Sequence, residues 1–254
     1  MQPIVFYDIP CKTAGATWSP NIWRIRYALN YKQLPYTTVW IEYPDIAALY
    51  TETLKIPPCS TRRDGSPYYC LPVIHDPNTD TTISDSPIIA AYLDKTYPDP
   101  ERALFPPNTH TLQKAFRSAY DEITGPMAPF VIPRIADILR APSEVYFVET
   151  RSKSFGKPLR EVFPTGEEYT EKWEKTKNAF GKIDAWYCAE ESGGPFVMGK
   201  KPTFADFVIG GEMQWTRVAF GEDSKEWKEW ASWHGGRWAK LIEDLKPYEG
   251  EDQV

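Results

Sequence analysis

The sequence predicts an α/β domain followed by an all-helical domain, α/β plus all-α within one chain. Three observations predict it. Strand-like and helix-like segments alternate from Ile4 to Tyr97. A proline-rich segment, Pro98 to Asn108, interrupts that alternation. Beyond it, apolar residues recur only at helical spacing. The length, 254 residues, suits two modest domains, which we delimit as 1–97 and 108–247.

Each element has a local reason. Ile4-Val5-Phe6-Tyr7 is an apolar run of strand length. A loop of small residues, Lys12 to Trp18, follows. Ser19-Pro20 then opens a helix to Lys32, with Ser19 expected to cap an orphan N–H and Pro20 suited to the first helical position. Ile22, Ile25 and Leu29 give it an apolar stripe, with charges between them. Tyr36 to Trp40 is β-branched and aromatic, a second strand. Asp45 to Leu54 reads as a short helix. Leu71 to His75 and Thr81 to Ser84 are strands joined by a turn-rich Asp76 to Asp80. Ser86-Pro87 repeats the cap-plus-proline signal before a further helix. The order β-α-β-α-β-β-α implies a parallel pair followed by a hairpin. The second domain carries helical patterns over Thr111 to Ala128, Gly166 to Ala189, Phe204 to Val218 and Glu226 to Leu245, with Gly235-Gly236 a break point in the last. Thr203 and Asp206 form a capping box. The tail from Glu249 to Val254 is polar and expected to fray.

Composition bounds the function. Hydrophobic residues at 42% and charged residues at 25% exclude general disorder. A net charge of −6 without a basic run argues against nucleic acid or an anionic membrane as partner. No apolar window reaches the roughly 20 residues of a membrane span, and Met1 to Pro10 lacks a signal-peptide pattern. The cysteines Cys11, Cys59, Cys70 and Cys188 are sparse and form no Cys-x-x-Cys, so a cytoplasmic location fits best. Spacing of His75, His110 and His234 suggests no metal site. Aromatic residues, at 15%, point to flat apolar ligands.

The layout resembles the cytosolic glutathione transferases, a thioredoxin-like domain followed by a helical bundle domain. Leu71-Pro72-Val73-Ile74 is similar to their cis-proline segment, Ser84-Asp85-Ser86 to their acidic-Ser pair, and Thr203-Phe204-Ala205-Asp206 to the capping box of their buried helix. The run Ser19 to Lys32 resembles the fungal FuA class, related to bacterial lignin β-etherases. Each of these features is also ordinary helix-cap or loop chemistry; their joint order and spacing carry the resemblance.

The resemblance implies glutathione as co-substrate and no metal. The glutathione backbone would pair with Leu71 beside a cis Pro72, and its γ-glutamyl group would meet Asp85 and Ser86. Lys55, Arg62 or Arg63 would hold the glycyl carboxylate. A free thiol has a pKa of about 8.5, so it needs donors to become a thiolate at neutral pH. Ser19 and Asn21, at a helix start, would supply them; Tyr7 is the second choice, and Cys11 reads as a loop thiol. Tyr120, Ile123, Met127 and Phe130 would line the cleft for a hydrophobic substrate, or else fill the helical core. The expected function is a glutathione transferase acting on aromatic, wood-derived electrophiles in detoxification. The alternative is a ligandin-type carrier of polyphenols; an interaction domain is a weaker third. The resemblance also implies a homodimer.

Overall fold

The computed structural model describes residues 1–13, 15–188 and 193–250. Its first part is a four-stranded sheet in the order β2-β1-β5-β6, built from β1 (Ile4–Asp8), β2 (Tyr36–Trp40), β5 (Val73–Asp76) and β6 (Thr81–Ser84). β1 runs parallel to β2 and antiparallel to β5, and β5 and β6 form the expected hairpin. A small antiparallel hairpin of β3 (Ser60–Thr61) and β4 (Pro67–Tyr68) stands apart, and no sequence signal marked it.

Helix α1 (Pro20–Tyr31) is the central element. Every residue from Ile22 to Tyr31 is buried, because the helix is covered by the sheet, by α3 (Ser86–Thr96) and by α8 (Phe204–Phe220). The charges between its apolar residues are therefore inside. Arg26 pairs with fully buried Asp8 at 3.3 Å, and Arg24 is 3% exposed. Between β2 and the small hairpin the expected helix over 45–54 is a succession of turns: a 3₁₀ turn (Tyr43–Asp45), a short α2 (Ile46–Ala48) and a π turn (Leu49–Leu54).

The proline-rich segment is pinned rather than free. Asp94 accepts from the N–H groups of Leu104 and Phe105 at 3.0 and 2.8 Å and from Lys32 Nζ at 2.8 Å. Beyond it the chain is helical: α4 (His110–Thr124), α5 (Ala128–Ile138), α6 (Ala141–Phe155), α7 (Gly166–Cys188), α8 and α9 (Lys225–Leu245). The helix expected over 111–128 is split by a 3₁₀ turn at Gly125–Met127, so Ala128 begins α5. The expected end of α7 at Ala189 lies outside the described residues. α9 leaves helical geometry from Trp233 to Gly236, at the anticipated break. The capping box forms: Asp206 accepts from Thr203 N at 2.9 Å, and its other oxygen from Val197 N at 2.7 Å.

The tail is not frayed at its start. Asn30 Nδ2 donates to the carbonyls of Tyr248 and Gly250 at 2.8 and 2.9 Å, and Gln214 Nε2 donates to Glu249. Residues 251–254 lie outside the described residues.

Candidate active site

Two hollows, of about 180 and 210 Å³, share Asn21, Tyr68, Cys70 and Leu71 and form one cleft. Ser19, Ile9, Tyr43 and Arg62 line one end, and α6 contributes Tyr146 and Arg151 there. Pro72, Asp85, Ser86, Cys59 and Arg117 line the other. Residues from both ends of the chain's first hundred thus meet helices that follow the proline-rich segment.

The loop before α1 is held from two sides. Thr17 Oγ1 donates to Asp8 at 2.6 Å, and Trp23 Nε1 donates to the Thr17 carbonyl at 3.1 Å. Asp8 is held in turn by Arg26 and by its own chain's Ile9 N–H at 2.6 Å. Burial pushes its carboxyl up to about 6, against the attraction of Arg26 and the Thr17 hydrogen bond. Ser19 follows in extended conformation and is 5% exposed. Contrary to expectation, its side chain makes no cap hydrogen bond. The hydroxyl is left for the cleft. Asn21 is oriented by Arg24, whose Nη1 donates to Asn21 Oδ1. That leaves the Asn21 amide NH₂ as a donor.

At the other end the Leu71–Pro72 bond is cis. Asp85 takes a positive φ of 75° and is itself the N-cap of α3, so Ser86 is the first helical residue rather than the cap that Ser86-Pro87 suggested. Ser86 is 2% exposed, at a helix start where the backbone dipole favours an anion. Arg117, on α4, closes this end. Its Nε donates to Asp121 at 2.6 Å, one turn along, while its Nη1 is buried without a hydrogen-bond partner among the described residues. In the sequence this residue reads as half of an ordinary i,i+4 surface pair, so nothing marked it.

The other candidates separate clearly. Of the three cations, Arg62 lines the cleft; Lys55, the left-handed residue closing the π turn, is exposed and not part of the lining, nor is Arg63. Arg151 lies opposite on α6. Tyr7 is buried in β1 outside the lining, and desolvation pushes its phenol up. Cys11 is 3% exposed, with its thiol donating to the carbonyls of Thr13 and Ala16 at 3.3 and 3.4 Å. Tyr120, Met127 and Phe130 are fully buried in the core, and Ile123 packs partly buried against it. The aromatic lining comes instead from Tyr43, Tyr68, Tyr69 and Tyr146. Tyr43 stacks on Tyr146 with ring centroids 5.6 Å apart. Tyr146 and Arg151 lie on α6, a helix the sequence reading had not assigned. Among the described residues no group of three His, Cys, Asp or Glu could hold a metal, and no helix is long and apolar enough to cross a membrane.

Comparison with known proteins gives a consistent picture. The family model for the glutathione S-transferase C-terminal domain matches residues 111–248, and that for the N-terminal domain matches residues 18–96. A glutathione S-transferase-like protein, ustS, of Aspergillus flavus is 33% identical over 243 residues, 90% of this chain and 84% of that protein. Among solved structures, a glutathione S-transferase of Ceriporiopsis subvermispora in complex with glutathione superposes with a TM-score of 0.93 at 43% identity, covering 100% of both chains. Glutathione transferase GSTFuA3 of Phanerochaete chrysosporium gives 0.91 at 37% identity, again over 100% of both chains.

Proposed function

The chain belongs to the glutathione S-transferase family and is a glutathione transferase, and from that premise we propose a serine-type mechanism in the cleft described above. Glutathione is the co-substrate. Its backbone lies along Leu71 and Pro72, its γ-glutamyl carboxylate on Ser86 and the α3 start, and its ammonium toward Asp85. Arg117 closes on the same carboxylate, and Arg62, rather than Lys55, receives the glycyl carboxylate. The sulfur then falls between Ser19 and Asn21. One observation carries this reading: Ser19 lines the cleft with a hydroxyl that does not cap its helix.

Serine acts here as donor, not nucleophile. Its O–H and the Asn21 amide stabilise the thiolate, which attacks an electrophilic carbon; the sulfur–carbon bond forms as the leaving group departs with its electron pair. The four tyrosines of the lining suit a flat aromatic electrophile, bound through ring faces at small entropic cost. A wood-derived aromatic, handled in detoxification, fits that lining. In the carrier reading the same tyrosines hold polyphenols without turnover. We further assign the glutathione-binding unit to residues 1–97 and the helical unit to 108–247, and expect a homodimer that would cover exposed Ile88 on α3 and Leu112 on α4.

The test is Ser19→Ala. We expect the conjugation rate to fall about 10- to 100-fold, the loss of one hydrogen bond to a charged group. The ultraviolet absorbance of bound thiolate should titrate at higher pH. If conjugation and titration both stay at wild-type values, the serine-type assignment is wrong. Aromatic binding that raises Tm equally in both proteins, with no conjugation in either, favours the carrier.

A further inference from the structure

Two cysteines in the cleft wall are not used by this mechanism. Cys59 and Cys70 flank the β3–β4 hairpin and both line the end of the cleft that holds Asp85 and Ser86. Both are partly exposed, and both are free thiols. The hairpin holds them: Cys59 N and Cys59 Sγ each donate to the Tyr68 carbonyl at 3.0 Å, and Tyr50 Oη donates to the Cys70 carbonyl at 2.6 Å. The bonds to Tyr68 hold Cys59 two residues from Cys70 across the base of the hairpin, and the two side chains share one end of the cleft.

We propose that Cys59 and Cys70 are a reactive dithiol that exchanges with glutathione disulfide and closes to an intramolecular disulfide, a second activity of the cleft. It rests on the reading that the cleft accepts glutathione. The Cys59 thiolate attacks one sulfur of glutathione disulfide; that S–S bond breaks and the first glutathione leaves as thiolate. Cys70 gives up its proton and attacks the Cys59 sulfur of the mixed disulfide, and the second glutathione thiolate leaves. Two protein thiols are oxidised, one glutathione disulfide is reduced, and the two released protons balance the two thiolates.

The surroundings assign the roles. The neighbouring Cys70 side chain, opposed by burial and by the Asp85 carboxylate, draws the Cys59 thiol below its ordinary value. Burial, Cys59 and Asp85 push the Cys70 thiol up. A thiol titrating near ambient pH is the better attacking group, and the other resolves. The Tyr68 carbonyl accepts from the neutral Cys59 thiol at 3.0 Å. Cys11 and Cys188 have no such neighbour: Cys11 is buried, and Cys188 lies exposed beside Asp184 and Arg237.

The full chain is incubated with glutathione disulfide at neutral pH, quenched by alkylation and mapped by peptide mass, with Cys188 as internal reference. In the wild type Cys59 and Cys70 should escape alkylation together, with the loss of two hydrogens. Cys70→Ser should trap one glutathionyl group on Cys59. Cys59→Ser should leave Cys70 reduced, its own reaction with glutathione disulfide at least about tenfold slower than that of Cys59 in Cys70→Ser. A wild type that stops at the mixed disulfide, or a Cys59 no faster than Cys188, overturns the proposal. Bis(2-hydroxyethyl) disulfide, which lacks the carboxylates of glutathione, is run in parallel. If it closes the pair and glutathione disulfide does not, the exchange with glutathione is refuted while the dithiol itself stands. If neither disulfide closes the pair while Ser19-dependent conjugation persists, the dithiol alone fails.

Discussion

Ser19 and Arg117 reach the cleft from opposite directions in the chain, and the same physical logic applies to both: a polar group is held by its neighbours at one end and left unsatisfied at the other. For Arg117 the Asp121 carboxylate takes Nε at 2.6 Å, and Nη1 has no partner among the described residues. An unpaired buried donor is costly unless a ligand completes it. Arg117→Ala should therefore weaken glutathione binding by about 1.5–3 kcal/mol, the range for hydrogen bonds to charged groups. The control is a glutathione analogue lacking the γ-glutamyl carboxylate, measured by calorimetry. It should bind wild type and Arg117→Ala alike, and a persistent difference would move Arg117 off that carboxylate. Ser86→Ala should behave in the same way, and because both groups meet one carboxylate, the two losses should be less than additive. At this scale the sequence singled out part of the cleft's lining. Ser19, Asn21, Leu71, Pro72, Asp85 and Ser86 stand out because helix starts and the Leu-Pro segment leave local signals, and all six line the cleft. Arg117, Tyr68, Tyr146 and Arg151 left none, since an arginine or a tyrosine on an amphipathic helix or in a loop reads as surface or core until the tertiary fold places it.

The elements that position these residues meet most closely where α1 crosses α8. A Cβ on Gly211 would lie 2.5 Å from the Pro20 carbonyl oxygen, a backbone atom that no rotamer change can move. Gly211 is thus the close-approach residue that lets the start of α1 rest on the second domain. Gly211→Ala should push Pro20, and Ser19 with it, away from the cleft. We expect a destabilisation of about 1–3 kcal/mol, as for overpacking elsewhere, together with a fall in conjugation rate. Denaturant melts with matched kinetics check this; unchanged stability would show that the two helices can slide apart. The elements themselves were unequally legible. The sheet strands, α1, α3, α7 and α8 carry either alternating or helical apolar patterns. β3 and β4 are two residues long and exposed, too short for alternation to register. α5 contains Pro133 in its interior, which argues against a helix in any local reading. α6 leaves Val145 and Val148 exposed, so its apolar residues form no single stripe. The Asp45 to Leu54 segment was read as one helix because propensity does not distinguish α from 3₁₀ and π turns.

At the scale of the whole molecule, packing α1 between the sheet and α8 has an electrostatic consequence. Three of the buried acids are raised: Asp8 and Asp206, each by burial to about 6, and Glu212, by burial to about 7 despite the attraction of Arg24. Their ordinary values are 3.8 for Asp and 4.5 for Glu. Because the folded pKa lies above the unfolded one, the folded chain holds protons that the unfolded chain has already released. Stability is therefore greatest below this window and is lost as pH rises through it, from about 4 to 7. His234 works the other way. Desolvation lowers its pKa, so the unfolded chain takes up a proton first and stability rises with pH up to the ordinary value of 6.5. Asp76 bounds the acid side: burial raises it, but hydrogen bonds from Tyr92, Tyr97 and Asn78 win and hold it low, so its contribution disappears as pH falls through that lowered value. Three raised acids outweigh one lowered histidine. We therefore expect Tm to be higher near pH 5.5 than near pH 7.5, roughly between the acid limit and full ionisation of the buried carboxyls. Glu212 is the group whose charging falls latest, so Glu212→Gln should flatten the upper part of the profile, whatever it does to the absolute Tm. A Tm that climbs steadily from pH 5.5 to 7.5 in the wild type, or an upper slope that Glu212→Gln leaves intact, would mean that the buried acids remain ionised and are stabilised by their cations more than burial penalises them.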